Sequence, residues 1–132
     1  MQKQPPMSTT DLRSKRIILT GGAGFLGRAV RSILLARGVP DDRIFVPRSA
    51  QIDLTQQDAT RRLFAEAFAG EPVDLVIHCA GRVGGLGANR AKPANFFVDN
   101  MAMALNLVDA ARRSGFIDRA GKFVMVGSMT SY

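Results

Sequence analysis

An α/β fold built on a parallel sheet, with helices on both faces, is what this 132-residue chain predicts, on three observations. Short apolar runs at 17–19, 43–46, 73–79 and 122–127 read as strands buried on both faces. Between them lie segments whose apolar residues recur at helical spacing. The first run stops at Gly21-Gly22-Ala23-Gly24-Phe25-Leu26-Gly27 and leads straight into one of those helices. Strand alternating with helix is the pattern of a Rossmann-type, doubly wound sheet. With 51–54 counted as a further short strand, the sheet has five strands in the order 3-2-1-4-5.

The glycine turn carries the first functional expectation. Its spacing is G-x-x-G-x-x-G, between a strand and a helix in which Val30, Ile33 and Leu34 form the apolar face and Arg37-Gly38 the end. In that setting Gly21 takes a backbone angle closed to other residues, Gly24 admits a pyrophosphate close to the main chain, and Gly27 lets helix and strand pack. The helix N-terminus, with Phe25 and Leu26 in its first turn, points free N–H groups and a positive dipole end at the phosphates. An ordinary tight turn is the plain alternative; the flanking strand and helix favour the phosphate cradle.

After the turn at Pro40-Asp41-Asp42, the second strand ends in Pro47-Arg48, about 20 residues beyond Gly27, where NAD-selective folds place an acid for the ribose hydroxyl. Arg48 offers a guanidinium fork for a 2′-phosphate instead, which favours NADP over NAD; a surface arginine is the alternative. In the following 51–55 segment, Asp53 stands where a carboxylate could read an adenine amino group, with the Leu54 main chain beside it. Thr55 is placed to cap the next helix, whose buried face is Leu63, Phe64, Ala67 and Phe68 and which Gly70 closes.

The strand at 73–79 ends in Cys79-Ala80-Gly81, small residues of the kind needed where a cofactor crosses the edge of a sheet. His78, the only histidine, reads as a hydrogen-bonded structural residue more readily than as a base. A glycine-rich loop, including Val83, Gly84 and Gly85, precedes a long helix from Pro93 to about Ser114. Its apolar face is expected to be Phe96, Phe97, Met101, Ala104, Leu105, Val108 and Ala111, as core. Asn100 lies within that face and needs partners, either backbone near the site or elsewhere in the core. Ser128 follows the last strand.

Composition narrows the classes. The hydrophobic and charged fractions, 46% and 22%, are those of a globular domain. No run approaches the roughly 18 apolar residues of a membrane span, and no apolar signal region opens the chain, so no membrane association and a cytoplasmic location are expected. A single cysteine excludes a disulfide framework, and no metal-ligand cluster is legible. The net charge of +7 raises nucleic acid as a partner, but the arginines are scattered over helix faces without interleaved aromatics, so none is expected. Residues 1–13 read as a disordered leader and 14–132 as the domain.

Thr20-Gly21-Gly22-Ala23-Gly24-Phe25-Leu26-Gly27, His78-Cys79-Ala80-Gly81, Asn100 and Ser128 together resemble the extended short-chain dehydrogenase/reductases, the nucleotide-sugar epimerase and dehydratase group. The Val83-Gly84-Gly85-Leu86-Gly87-Ala88-Asn89 loop and Pro93-Ala94-Asn95-Phe96 are similar to its GDP-L-fucose synthase branch. The resemblance implies an NADP-dependent enzyme that transfers hydride to a 4-keto sugar nucleotide and forms a homodimer when complete. It assigns Gly21, Gly24, Phe25, Leu26, Gly27, Arg48, Asp53, Leu54, Ala80, Gly81, Val83 and Asn100 to the cofactor, and Gly84, Gly85 and Ser128 to the substrate. Ser128 would be catalytic, bonding the keto oxygen. Two departures stand out. Thr130 occupies the place of the branch's cysteine, and its hydroxyl pKa is far too high for the epimerising proton transfers. The family's Tyr-x-x-x-Lys pair and substrate domain are not in these 132 residues; Tyr132 has no lysine after it. The isolated chain is therefore expected to bind cofactor and catalyse nothing. A non-catalytic dinucleotide sensor or assembly subunit is the alternative.

Overall fold

The computed structural model describes residues 10–82, 91 and 93–127. Strand β1 (Ile17–Thr20) lies between β2 (Ile44–Phe45) and β3 (Leu75–His78), and β4 (Lys122–Met125) pairs with the far side of β3. All pairs are parallel, with Ile17 opposite both Ile44 and Leu75, and Leu75 opposite Lys122. Helix α1 (Phe25–Ala36) follows β1, α2 (Gln57–Glu66) follows β2, and α3 (Pro93–Arg113) joins β3 to β4.

Every residue of β1 is buried, as a strand covered on both faces requires. The pleat sends Ile18 and Val76 to a cluster with Leu63 and Phe64 of α2, Met103 and Leu107 of α3, and Phe116. It sends Ile17, Leu19 and Leu75 to the opposite side, against Leu34 of α1 and Val39. Each such aliphatic side chain, when fully buried, contributes about 1.5–3 kcal/mol. Leu12 also packs against the second cluster. Helix α1 ends as expected, with the Gly38 and Val39 amides returning to the Leu35 and Leu34 carbonyls.

Three expectations are corrected. The described sheet has four strands in the order β2-β1-β3-β4, not five, because the 51–54 segment pairs with nothing. The Gln51 and Ile52 amides donate to the Arg48 carbonyl, and the Leu54 carbonyl accepts from Asn106 Nδ2 at 2.9 Å and shares the single Thr60 hydroxyl proton with the Gln56 carbonyl. Ile52 and Leu54 are buried two residues apart, and that alternation imitates a strand. Thr55 does not cap α2; its hydroxyl and amide both donate to Asp53 Oδ1, and the cap position falls at Gln56. Helix α3 buries Met103, Leu107, Ala110 and Ala111, while Phe97, Met101, Leu105 and Val108 face solvent. One polar stripe of Asn95, Asp99, Asn106, Asp109 and Arg113 runs along it, and the apolar arc beside that stripe is wider than one neighbour can bury, so periodicity does not choose the buried side.

On the α1 side, β4 lies open: Val124 and Val126 are each close to half exposed. Among the described residues no helix is long and apolar enough to cross a membrane.

Candidate functional site

Parallel strands bring the segments 21–27, 46–48 and 79–82 to one edge, the C-terminal edge of the sheet. The connection leaving β1 runs to β2 on one side, and the next strand, β3, lies on the other. A crevice opens at such a reversal, and ligands of open parallel sheets bind there.

The glycine turn is tied down on its sheet side and open on the other. Gly21 has φ +71°, and a Cβ there would lie 2.5 Å from the Ala80 nitrogen, so both backbone angle and close approach demand glycine. A Cβ at Gly27 would fall 1.9 Å from the Gly21 carbonyl oxygen. At Gly24 the only neighbour among the described residues is that same oxygen at 3.3 Å. No described residue therefore fills the space over Gly24. Its own amide donates to Gly21 at 3.0 Å, leaving the first-turn amides of α1 with no side-chain cap. No acidic residue stands in that turn, so the positive end of the helix is not neutralised locally. Phe25 is 92% exposed, and its contribution to a bound anion would come from its main chain. The sequence reading passed over Gly22, whose Cβ would strike the Val46 side chain at 2.7 Å. That contact seats the turn against the end of β2.

Arg48 lies beyond that end, and among the described residues no carboxylate pairs with it. Asp53 accepts from Thr55 Oγ1 at 2.7 Å and from the Thr55 amide at 2.9 Å. The hydroxyl first, then the amide, holds its carboxyl below the usual range. It is therefore an ionised acceptor at neutral pH.

At the end of β3, both atoms of the Asn100 carboxamide are used by one residue: Oδ1 accepts from the Arg82 amide at 2.7 Å, and Nδ2 donates to the Arg82 carbonyl at 3.0 Å. Arg82 is also paired with Asp99 at 2.7 Å. Asn100 thus acts on the groove through the main chain of the 81–82 segment. Thr20 Oγ1 lies 2.6 Å from His78 Nδ1 and accepts from the Ala80 amide at 3.3 Å. Burial holds the pKa of His78 below its usual value, so the ring is neutral at physiological pH. Sequence reasoning missed Thr20 as a site residue; the signal was a polar residue closing an apolar run, opposite another that closes with His78. Val83, Gly84, Gly85, Ser128 and Thr130 lie outside the described residues.

The sequence profile of the NAD dependent epimerase/dehydratase family matches residues 17–132, nearly the whole of the sheet and both flanks of the turn. The chain belongs to that family. Among its relatives is a GDP-L-fucose synthase of Azorhizobium caulinodans, 36% identical over 102 residues, which are 77% of this chain and 30% of the relative. Among solved structures, a GDP-mannoheptose C4 reductase of Campylobacter jejuni with NADP bound superposes with a TM-score of 0.71. It is 25% identical, across 87% of this chain and 31% of that one. A GDP-L-fucose synthetase of Naegleria fowleri bound to NADP gives 0.61 at 28% identity, across 78% and 31%. The chain spans about 30% of the length of the curated relatives it matches.

Proposed function

We propose that this chain is the NADP(H)-binding portion of a nucleotide-sugar reductase or epimerase. The observation that carries the reading is the glycine turn: fixed at Gly21 and Gly27, open at Gly24, and followed by an uncapped helix with no acid in its first turn. Such a cradle fits a pyrophosphate. Arg48, which pairs with no carboxylate among the described residues, suits the 2′-phosphate, and Asp53 suits the adenine amino group. The two NADP-bound relatives support the same cofactor.

In the intact protein, Ala80 and Gly81 line the groove under the dinucleotide, with Val83 and Asn100 beside it. Gly84, Gly85 and Ser128 contact the sugar. A bound reduced nicotinamide would supply the hydride that reduces a 4-keto sugar nucleotide to its alcohol, the keto oxygen taking its proton from a general acid. Ser128 donates a hydrogen bond to the keto oxygen and stabilises the charge that develops there. Thr130 supports reduction rather than epimerisation, since a hydroxyl does not exchange protons as a thiolate does near neutral pH. The domain occupies 14–132, and the intact enzyme works in the cytoplasm as a homodimer. The exposed stripe Val98, Met101, Leu105 and Val108 on α3, at spacings of three, four and three, supports pairing of two copies through that helix.

The test is fluorescence titration of the chain with NADPH and NADH. NADPH binding at least about tenfold tighter is expected, and Arg48→Ala should erase the difference. Equal affinity for the two cofactors, or none for either, would refute the reading.

A further inference from the structure

The parallel sheet has a second edge, where its strands begin, and that edge carries a cavity of its own. Three stretches meet there: the 10–15 segment ahead of β1, Asp74 and Leu75 at the start of β3, and the 119–122 turn that leads into β4. Main-chain bonds join them, since the Arg16 carbonyl accepts from the Asp74 amide at 2.9 Å and the Asp74 carbonyl from the Lys122 amide at 3.0 Å. The turn itself is fixed by the Arg119, Ala120 and Gly121 amides, which donate to the Gly115, Ile117 and Phe116 carbonyls. The cavity measures about 260 Å³, which suits a small molecule.

Its lining is unbalanced in charge. Lys15, Arg119 and Lys122 contribute to it, and among the described residues none of the three pairs with a carboxylate. Asp74 also lines it, but its Oδ2 is committed to the Arg16 amide at 2.8 Å. Two further acids of this edge are taken as well: Asp11 receives the Arg13 guanidinium on both oxygens at 3.0 Å, and Glu71 pairs with Arg16 at 3.6 Å. Arg119 gives one N–H to the Ser114 carbonyl at 3.0 Å, which holds its guanidinium and leaves its other donors. Three cations around one small cavity repel one another, and an anion between them converts that repulsion into attraction.

We infer that this cavity binds a small phosphate dianion, free or esterified to a short carbon chain. A phosphoryl group matches a guanidinium fork with ammonium groups beside it. Leu12, Leu75 and Ala120 supply an apolar wall for the carbon chain of an ester. The site lies across the sheet from the glycine turn and does not depend on the cofactor reading.

The test is an NMR titration of the isotope-labelled chain, read at its backbone amides, with inorganic phosphate and with glycerol 3-phosphate. Sodium chloride at matched ionic strength is the control. Both phosphates are expected to shift the amides of Lys15 and 119–122 in a saturable way that chloride does not reproduce. The double variant Lys15→Gln, Lys122→Gln should weaken that binding at least about tenfold and leave the glycine-turn amides in place. If the double variant does not fold, Arg119→Gln removes the fork alone, and the same titration should show a loss of at least about threefold. Tighter binding of glycerol 3-phosphate assigns the apolar wall to an ester chain, and equal binding assigns the site to free phosphate. Shifts confined to Gly21–Gly27, shifts that chloride reproduces, or binding that the folded variants retain would each overturn the inference.

Discussion

Gly24 and Gly27 stand three residues apart in one turn, yet an added methyl group has a different consequence at each. At Gly27 it would overlap the Gly21 carbonyl, and the helix would have to leave the strand. Gly27→Ala should therefore cost upwards of about 2 kcal/mol and broaden thermal unfolding. At Gly24 the methyl meets one oxygen at 3.3 Å and otherwise points into the crevice. Gly24→Ala should unfold within a few degrees of wild type and yet lose at least about tenfold in NADPH affinity, because the methyl occupies the pyrophosphate's place. Retained binding by Gly24→Ala would remove the turn from the site. His78 makes a separable prediction in pH. Burial lowers its folded pKa, so the unfolded chain takes up that proton first as pH falls. The stability it confers is complete above about pH 6.5 and declines below it. Asp53, lowered by its bonds from Thr55, contributes in full above about pH 4 and is lost only below that. Urea midpoints measured from pH 7.5 to 5 should fall for wild type and stay flatter for His78→Gln.

At the scale of elements, the parts of the fold that were legible in the sequence are those in which local pattern and tertiary environment agree. The runs at 17–19 and 75–77 are apolar because they are buried on both faces, and the glycine turn announces its geometry at Gly21 and Gly27, where no larger residue fits. The 51–54 segment was misread because two buried residues with one between them fit a strand and an irregular turn equally well. What decides is where the backbone bonds go, and those partners, Thr60 and Asn106, lie 6 and 52 residues away. The buried side of α3 is hidden for a similar reason: a helix with a wide apolar arc is oriented by what surrounds it. The same long-range dependence can be measured. Asn106→Ala removes the donor at 2.9 Å from the Leu54 carbonyl and should cost about 1 kcal/mol in urea unfolding, since the single Thr60 hydroxyl proton, shared between the Gln56 carbonyl at 2.8 Å and that of Leu54 at 3.2 Å, can then turn to Leu54. With Thr60→Val added, that buried acceptor is orphaned, so the double variant should lose more than the sum of the two single variants by about 1 kcal/mol. Simple additivity would mean that water replaces both donors and that the turn is not held by them.

Two of the exposed apolar faces of the described residues lie on neighbouring elements. One is the open α1 side of β4, around Val124 and Val126; the other is the outer stripe of α3. The stripe has the features of a face that meets a copy of itself. Val98, Met101, Leu105 and Val108 keep coiled-coil spacing, no charged side chain falls between Met101 and Val108, and Ala102 and Ala104 beside them allow close approach of a second helix. A two-fold axis across such a stripe pairs each residue with its counterpart's neighbour, and the interface closes without leaving a free end. Sedimentation of the chain over a range of concentrations should show a monomer–dimer equilibrium. Leu105→Glu, which places a charge in the middle of the stripe at a position already 63% exposed, should abolish it with little change in thermal stability. Val124→Thr keeps the size of the β4 side chain and reduces its apolar character, and it should leave the dimer intact. The reverse pattern, with Val124→Thr monomeric and Leu105→Glu still dimeric, would move the contact to the open side of the sheet and leave α3 for another role.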